Sequence, residues 1–428
     1  MENTTLSGSR SNLAGDQEEE TWLHAWGLIT SFAVSMTLKA AIELGLFDAL
    51  SNAGGRALTA DELAAGLPAV DKTDGVASVD RILRLLASFD VVRCLTETGA
   101  HGETIRQYTP APVCRWLAIN HGGSSLAPYA MFTTDQDCLT AWQQLGAAVE
   151  GGQTAFGRTH GVTMVEHFGR TPRLSGVFDK AMVQISAMVT SKLLERFHGF
   201  DDISVLVDVG GGTGATLKMV TSRYKHIRGI NFDLPYAISL APSIPASKSS
   251  DQTFPSWLSL QLRHVFIVTS MDMTTHVLKR STPVSFKWAT VCAAYAAHAS
   301  FFQKFVKGVE HIAGNMFDYV PSGDAVLLKT VLHILDDNDC IRLLKNCHGA
   351  LSDKGRLIAV EFVLPGTPEV TRAAQNLFIL DVMMLNNSEG GKERTEEEFL
   401  KLARQSGFSG TFQSTYIFGN FWALEFTK

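Results

Sequence analysis

The sequence predicts a chain of two domains, the first helical and the second α/β on a mostly parallel, doubly wound sheet. Three observations predict it. The 428 residues exceed what one compact core ordinarily holds. Up to about residue 195 apolar residues recur at helical spacing. From Ser204 onward short β-branched runs alternate with amphipathic stretches, the pattern of strands joined by helical crossovers.

Composition excludes several classes. Hydrophobic residues make up 45% and charged residues 19%, a globular balance rather than a disordered or fibrous one. A net charge of −6 and a pI near 6.1 argue against a surface that binds nucleic acid. Six cysteines (Cys94, Cys114, Cys138, Cys292, Cys340, Cys347) are scattered without a CxxC pair. They form neither a disulfide framework nor a zinc site and suit a reducing compartment. The start, MENTTLSGSRSNLAGDQEEE, lacks the apolar core of a secretory signal. The uncharged apolar stretch 288–302 is too short for the roughly 20 residues of a membrane span. A cytoplasmic protein without a membrane partner is expected.

In chain order, residues 1–20 read as a disordered tail. WLHAWGLITSFAVSMTLKAAIELGLFDAL is apolar around most of a helical circumference, with Lys39 and Glu43 the charges in its middle. Such a helix must be covered on more than one side, which implies a partner subunit. In LTADELAAGL, Thr59 and Glu62 have capping-box spacing. VDRILRLLASFDVVRC reads as a helix running into a strand, and YTPAPVCRWL returns. Short helices before a two-stranded turn resemble a winged helix, although the charge does not favour reading DNA. Residues 127–195 read as a helical connector. VLVDV, GINFD, AVLLKTVLH and GRLIAVEFVLP read as strands, DDNDCIRLLKNCHGAL as a helix and GTFQSTYIFGNFWALEF as a hairpin. A ligand site belongs at the carboxyl ends of such strands.

LVDVGGGTGA is the sharpest local motif. Gly210, Gly212 and Ala215 satisfy G-x-G-x-x-G/A, and Asp233 follows at the end of the next strand. Glycines there let backbone approach a ligand, and the acid suits a ribose. The motif alone leaves open a nicotinamide dinucleotide, S-adenosylmethionine or a purely structural turn.

Six segments in order carry a resemblance: LVDVGGGTGA, GINFDLPYAI, GVEHIAGNMFDYVPSGDAVLLKTVLH, DDNDCIRLLKNCHGAL, GRLIAVEFVLP and GGKERTEEEF. Together they resemble the plant-type small-molecule O-methyltransferases, the group of the caffeic acid and flavonoid enzymes. The resemblance implies an α/β Rossmann-like class I methyltransferase domain over 127–428. It also implies an N-terminal helical, winged-helix-like dimerisation domain over 21–126 that forms a homodimer. S-adenosylmethionine would be the methyl donor, with no metal, and the acceptor a phenolic small molecule. By this resemblance His333 matches the general base, with Glu361 and Glu393 as the acids flanking it. Gly210 matches the position under the methionine moiety, Asp233 the ribose ligand, Asn315 and Met316 the adenine site, and Lys329 a further cofactor contact.

Plainer readings compete for each residue. A lone histidine at a strand end is commonly structural, and an isolated acid commonly caps a helix. Asp336, Asp337 and Asp339 suit the start of a helix better than a metal. Cys340 and Cys347 share one helix face and are expected to pack as buried thiols. A nicotinamide-dependent oxidoreductase is a rival that leaves GGKERT and the histidine–acid set unexplained.

The sequence departs from the family at several points. Asn315 stands where Asp is usual. Ile334 and Leu335 follow the histidine where Asp-Trp is common, Ser388 and Glu389 replace Asn-Pro, and Ile185 occupies a place that is polar in some members. The largest departure is 246–307, 62 residues without family counterpart. That segment carries a net +5 against −11 for the remainder. A segment of this length inside a compact α/β domain calls for an explanation. Clean family junctions on both sides mark it as a retained intron or gene-model error, and with it present an inactive homodimer is the alternative reading. Sequencing the transcript is expected to find SIPGVEH encoded directly; uniform retention of all 62 codons in translated message would refute this.

Overall fold

The computed structural model describes residues 6–67, 74–120, 123–241, 305–306 and 309–428. They divide into two compact units. The first draws on Met1–Glu195, His333–Asp336 and Leu364–Arg394, the second on Arg196–Leu332, Asp337–Val363 and Thr395–Lys428.

In the first unit, helices α1 (Leu6–Thr30), α2 (Phe32–Glu43) and α3 (Leu46–Asn52) come first. Gly45 takes a φ of 69° between α2 and α3, a left-handed turn that costs glycine little. After the short strand β1 (Leu58–Thr59), α4 (Ala60–Ala65) opens with the expected capping box. Thr59 Oγ1 accepts the Glu62 amide, and Glu62 Oε2 accepts the Thr59 amide at 2.8 Å. Helix α5 (Asp74–Ser88) buries Val79, Leu83 and Leu86 on one face. Strands β2 (Val92–Thr98) and β3 (Thr104–Pro110) form an antiparallel hairpin, and β1 completes a sheet of order β1-β3-β2. Tyr108 lies opposite both Leu58 and Cys94 and is fully buried. Its hydroxyl donates to Asp80 Oδ1 at 2.7 Å, so the phenol keeps a partner in the core.

Residues 6–20, expected as a disordered tail, form the first part of α1 instead. The Asp-Gln-Glu-Glu-Glu run contains good helix formers and extends a helix already nucleated by the apolar stretch after it. Trp22 and Trp26 stack 5.2 Å apart on α1. With Leu23, Ile29 and Phe32 they leave an apolar face exposed in the single chain.

The expected boundary at 126/127 is not where the packing divides. Helices α6 (Ala127–Thr133), α7 (Gln136–Trp142), α8 (Leu145–Gly151), α9 (Ala155–His160), α10 (Met164–Arg170) and α11 (Pro172–Arg196) belong mainly to the first unit. The connector carries its own core: Phe132 packs edge-on against Phe178 at 5.1 Å, with Leu174 and Cys138 buried beside it. A segment that buries aromatic residues in this way is part of a domain rather than a linker.

The second unit is the α/β part. Its main sheet runs β11-β12-β9-β8-β4-β5-β7-β6 among the described residues. These are β4 (Val205–Val209), β5 (Arg228–Asp233), β6 (Phe305–Val306), β7 (Val309–Ala313), β8 (Gly323–Lys329), β9 (Leu351–Leu364), β11 (Phe412–Phe418) and β12 (Phe421–Thr427). β10 (Arg394–Thr395) pairs with β9 off this path. Strands β7, β5, β4, β8 and β9 pair in parallel, while β12 and β11 are antiparallel. β4 and the centre of β8, Ala325–Leu328, are buried, as parallel strands covered on both faces must be. The order reverses at β4, with β5 on one side and β8 on the other, so ligands belong at the carboxyl ends there.

Helix α12 (Ala215–Arg223) follows β4, and α13 (Pro235–Leu240) follows β5. Helix α14 (Asp337–Ala350) has Asp337 and Asp339 in its first turn and buries Cys340 and Cys347 on one face, as expected. Helix α15 (Arg372–Asn387) belongs to the first unit, and α16 (Glu396–Gln405) to the second. The strand expected over AVLLKTVLH ends at Lys329, because Thr330 turns to a φ of 55° and Leu332–Ile334 form a 3-10 turn. The segment 246–307 lies outside the described residues except for Phe305–Val306, which pair antiparallel with β7.

Leu83 is completely buried in the first-unit core. Leu83→Ala is expected to lower unfolding stability by about 2–5 kcal/mol, read from the midpoint of denaturant unfolding.

Candidate active site

The glycine turn of the second unit is built from β4 into α12. Gly210, Gly212 and Gly214 take φ of 73°, 59° and 81°. A side chain at Gly210 would meet Val331 Cγ2 at 2.9 Å, and one at Gly214 would meet His311 Cε1 at 3.0 Å. Gly211 is crowded by polar atoms: a Cβ there would overlap Asn231 Oδ1 and lie 2.7 Å from Asp208 Oδ2.

Asp233 ends β5. Its Oδ2 accepts the Gly212 amide at 2.7 Å and its Oδ1 the Leu234 amide at 2.6 Å, so it ties the glycine turn to its own strand. Each oxygen keeps a lone pair for a further donor. The Gly314 amide donates to the Asp233 carbonyl at 2.9 Å, which brings the next loop to the same sheet edge. There Asn315 Oδ1 accepts the Phe317 amide at 3.0 Å in a side-chain turn, and the Met316 carbonyl accepts from Asn346 Nδ2 at 2.9 Å. Lys329 ends β8, and burial pushes its ammonium down against the opposing pull of Asp208 and Glu361. Gly210, Asp233, Asn315, Met316 and Lys329 all come from loops or strand ends of this unit.

Glu361, in β9, is fully buried. Its Oε1 accepts the amides of Val331 at 2.9 Å and Leu332 at 2.8 Å, the two residues that precede His333 in the chain. It therefore shapes the backbone turn after β8.

His333 and Glu393 belong to the first unit. His333 Nδ1 lies 2.9 Å from Glu393 Oε1, whose side chain is wholly buried. The Glu393 amide donates to Asp381 Oδ1 at 2.9 Å, which fixes the acid to α15. Arg394, fully buried, donates from Nη2 to the Leu335 carbonyl at 2.8 Å and holds the turn that follows the histidine. The paired glycines of GGKERT make this approach possible. A Cβ at Gly390 would stand 2.6 Å from Asp336 Cβ, and one at Gly391 would stand 2.9 Å from the His333 carbonyl. Tyr129 Oη lies 3.7 Å from Met383 Sδ, and burial, with the Glu393 carboxylate, pushes the phenol up to about 12. Ile185 is half-buried on α11, Ser388 closes α15 and Glu389 is exposed.

Sequence reasoning missed Asp208, Asn231 and His311 behind the glycine turn, and Asp381, Arg394 and Tyr129 around the histidine. An acid inside the apolar run VLVDV was the available signal for the first group. Nothing local marks Tyr129 as a neighbour of Met383 and Glu393, more than 250 residues further on.

A model of the O-methyltransferase domain matches residues 142–255 and 281–409, and one of the O-methyltransferase dimerisation domain matches 26–120. The chain belongs to the O-methyltransferase family. A protein of Oryza sativa subsp. japonica described as a probable inactive methyltransferase is 52% identical over 97% of this chain and 95% of its own. Naringenin 7-O-methyltransferase of the same organism is 44% identical over 95% and 94%. The crystal structure of human N-acetylserotonin methyltransferase in complex with SAM aligns with a TM-score of 0.68 over 95% of this chain and 97% of that one. At 20% identity that likeness speaks for the fold alone. In this O-methyltransferase the strand β4, the glycine turn and α12 thus occupy their places in a class I methyltransferase fold, and the N-terminal helices in a dimerisation domain.

Gly211→Ala is expected to lower stability by about 1–3 kcal/mol, because the buried Asn231 and Asp208 cannot retreat. Gly146→Ala, in a helix with open space around it, is expected to be neutral or to stabilise by up to about 1 kcal/mol. Thermal unfolding of the two variants checks the contrast.

Proposed function

We propose that this O-methyltransferase methylates a hydroxyl of a phenolic small molecule of phenylpropanoid or flavonoid type, with His333 as general base. The observation that carries the reading is the 2.9 Å bond between His333 Nδ1 and the buried Glu393 carboxylate. When Nδ1–H donates to Glu393, the lone pair is left on Nε2, and that is the basic atom. Nε2 takes the acceptor's phenolic proton as the oxygen becomes nucleophilic, and Glu393 then stabilises the imidazolium. The buried acid also holds the ring's orientation, which matters as much as its basicity because the reaction depends on alignment.

The glycine turn fits S-adenosylmethionine: three left-handed glycines leave the backbone bare, and both Asp233 oxygens retain acceptor capacity beside it. Gly210 would lie under the methionine moiety and Asp233 would hold the ribose. Asn315 and Met316 would border the adenine, and Lys329 would add a contact. When bound, this cofactor supplies an activated methyl group. Asn315 offers the adenine a neutral amide where a carboxylate is usual, so its hydrogen bonds are weaker than charge-assisted ones. The reading requires no metal. The exposed Trp22, Trp26, Ile29 and Phe32 supply the homodimer contact, and the free cysteines suit the cytoplasm. Naringenin 7-O-methyltransferase among the relatives supports a flavonoid acceptor.

A second reading, an inactive homodimer, is favoured by the relative described as probably inactive. Turnover assays on naringenin and caffeic acid separate the two. His333→Ala is expected to lower kcat by about a hundredfold or more while S-adenosylhomocysteine affinity by calorimetry stays within about threefold. Equal turnover in the variant removes His333 from the mechanism, and no turnover by the parent chain on any phenol supports the inactive reading.

A further inference from the structure

Behind the glycine turn three polar side chains are sealed from solvent. Asp208, Asn231 and His311 are 1%, 0% and 7% exposed. Asn231 Nδ2 donates to the Gly212 carbonyl at 3.0 Å and to His311 Nδ1 at 3.0 Å. The Gly212 carbonyl can only accept, so it decides which end of the amide faces it. The other end, Asn231 Oδ1, is thereby turned toward Gly211, where Asp208 Oδ2 also points. Neither oxygen has a hydrogen-bond partner among the described residues. Two buried acceptors aimed at one place are unfavourable unless a proton sits between them.

We propose that Asp208 is a positioning residue held as a carboxylic acid, its O–H donating to Asn231 Oδ1, so that Asn231 can clamp Gly212 and His311 and keep the glycine turn in its cofactor-binding shape. The inference rests on the reading of that turn as the cofactor site. The surroundings support it. Burial pushes the Asp208 carboxyl up to about 7, opposed by Lys329 from β8 and assisted by Asp233 at the end of β5. His311 faces the network from β7 through Asn231, and as the acceptor it holds its own proton on Nε2. When Asp208 loses its proton, a carboxylate oxygen and an amide oxygen, both able only to accept, oppose each other and the clamp on Gly212 weakens.

The test compares the full chain with Asp208→Asn, whose amide is a permanent donor to Asn231. Calorimetric titration with S-adenosylhomocysteine is expected to show wild-type affinity falling about tenfold from about pH 6 to about pH 8. Asp208→Asn is expected to show a flat profile and so to bind about tenfold tighter than wild type at about pH 8. A flat wild-type profile, with tenfold weaker binding by Asp208→Asn, would mean an ionised Asp208 and overturn the proposal.

Thermal midpoints without ligand decide independently. A folded carboxyl held above its unfolded value of about 3.9 favours the native state at low pH, and stability is lost as pH rises toward 7. The midpoint of Asp208→Asn should therefore gain on that of wild type between about pH 5 and about pH 8. A gap that does not change with pH overturns the proposal. If neither protein binds S-adenosylhomocysteine at any pH, the cofactor reading fails and the thermal series still judges the proton.

Discussion

Backbone amides held by carboxylates are the constraint on which the loops of this molecule depend. Glu361 is the extreme case, a fully buried acid whose Oε1 takes two successive amides after β8. Asp324 does the same for Ser204 and Val205 at 3.0 and 2.9 Å where β4 begins. Asp48 takes the amides of Ile119 and Asn120, Asp233 those of Gly212 and Leu234, and Asp381 that of Glu393. Hydrogen bonds to an ionised acceptor are roughly twice as strong as neutral ones, so a few acids can replace the regular pairing that loops lack. Asp233 and Glu393, two of the residues proposed for the site, stand on these pinned turns.

Pinning explains why the glycines come where they do. A carboxylate can draw two backbone segments together only if nothing projects between them. Gly210 and Gly214 clear space for Val331 and His311, and Gly391 clears it for the His333 carbonyl. The His333–Glu393 pair is held from both sides: Asp381 anchors the acid's backbone, and Arg394 holds the Leu335 carbonyl just beyond the histidine. The departures Ile334, Leu335, Ser388 and Glu389 lie on or next to the same turns. They leave the histidine–acid bond intact.

Much of this organisation was legible in the residues. The capping box at Thr59, the switch to strand–helix alternation at Ser204, the glycine turn and the buried face of Cys340 and Cys347 all follow from spacing within a dozen residues. The tail and the domain boundary did not. A polar run before an apolar helix reads as disorder, yet it propagates as helix once the apolar part nucleates. Residues 127–195 look like a connector until Phe132 meets Phe178, a contact made across 46 residues.

The sequence by itself determined the family and the α/β class of its second part, because six short motifs in order and the strand–helix alternation after Ser204 carry them. Only the tertiary structure decided what the side chains of the candidate site hold. It placed Glu361 on the Val331 and Leu332 amides and Glu393 on the imidazole, and it sealed Asp208 against Asn231 beneath Gly211. The reason is physical: hydrogen-bond partners and burial come from segments far apart in the chain, and no local pattern records which of two acids the folded chain will bring to a ring nitrogen.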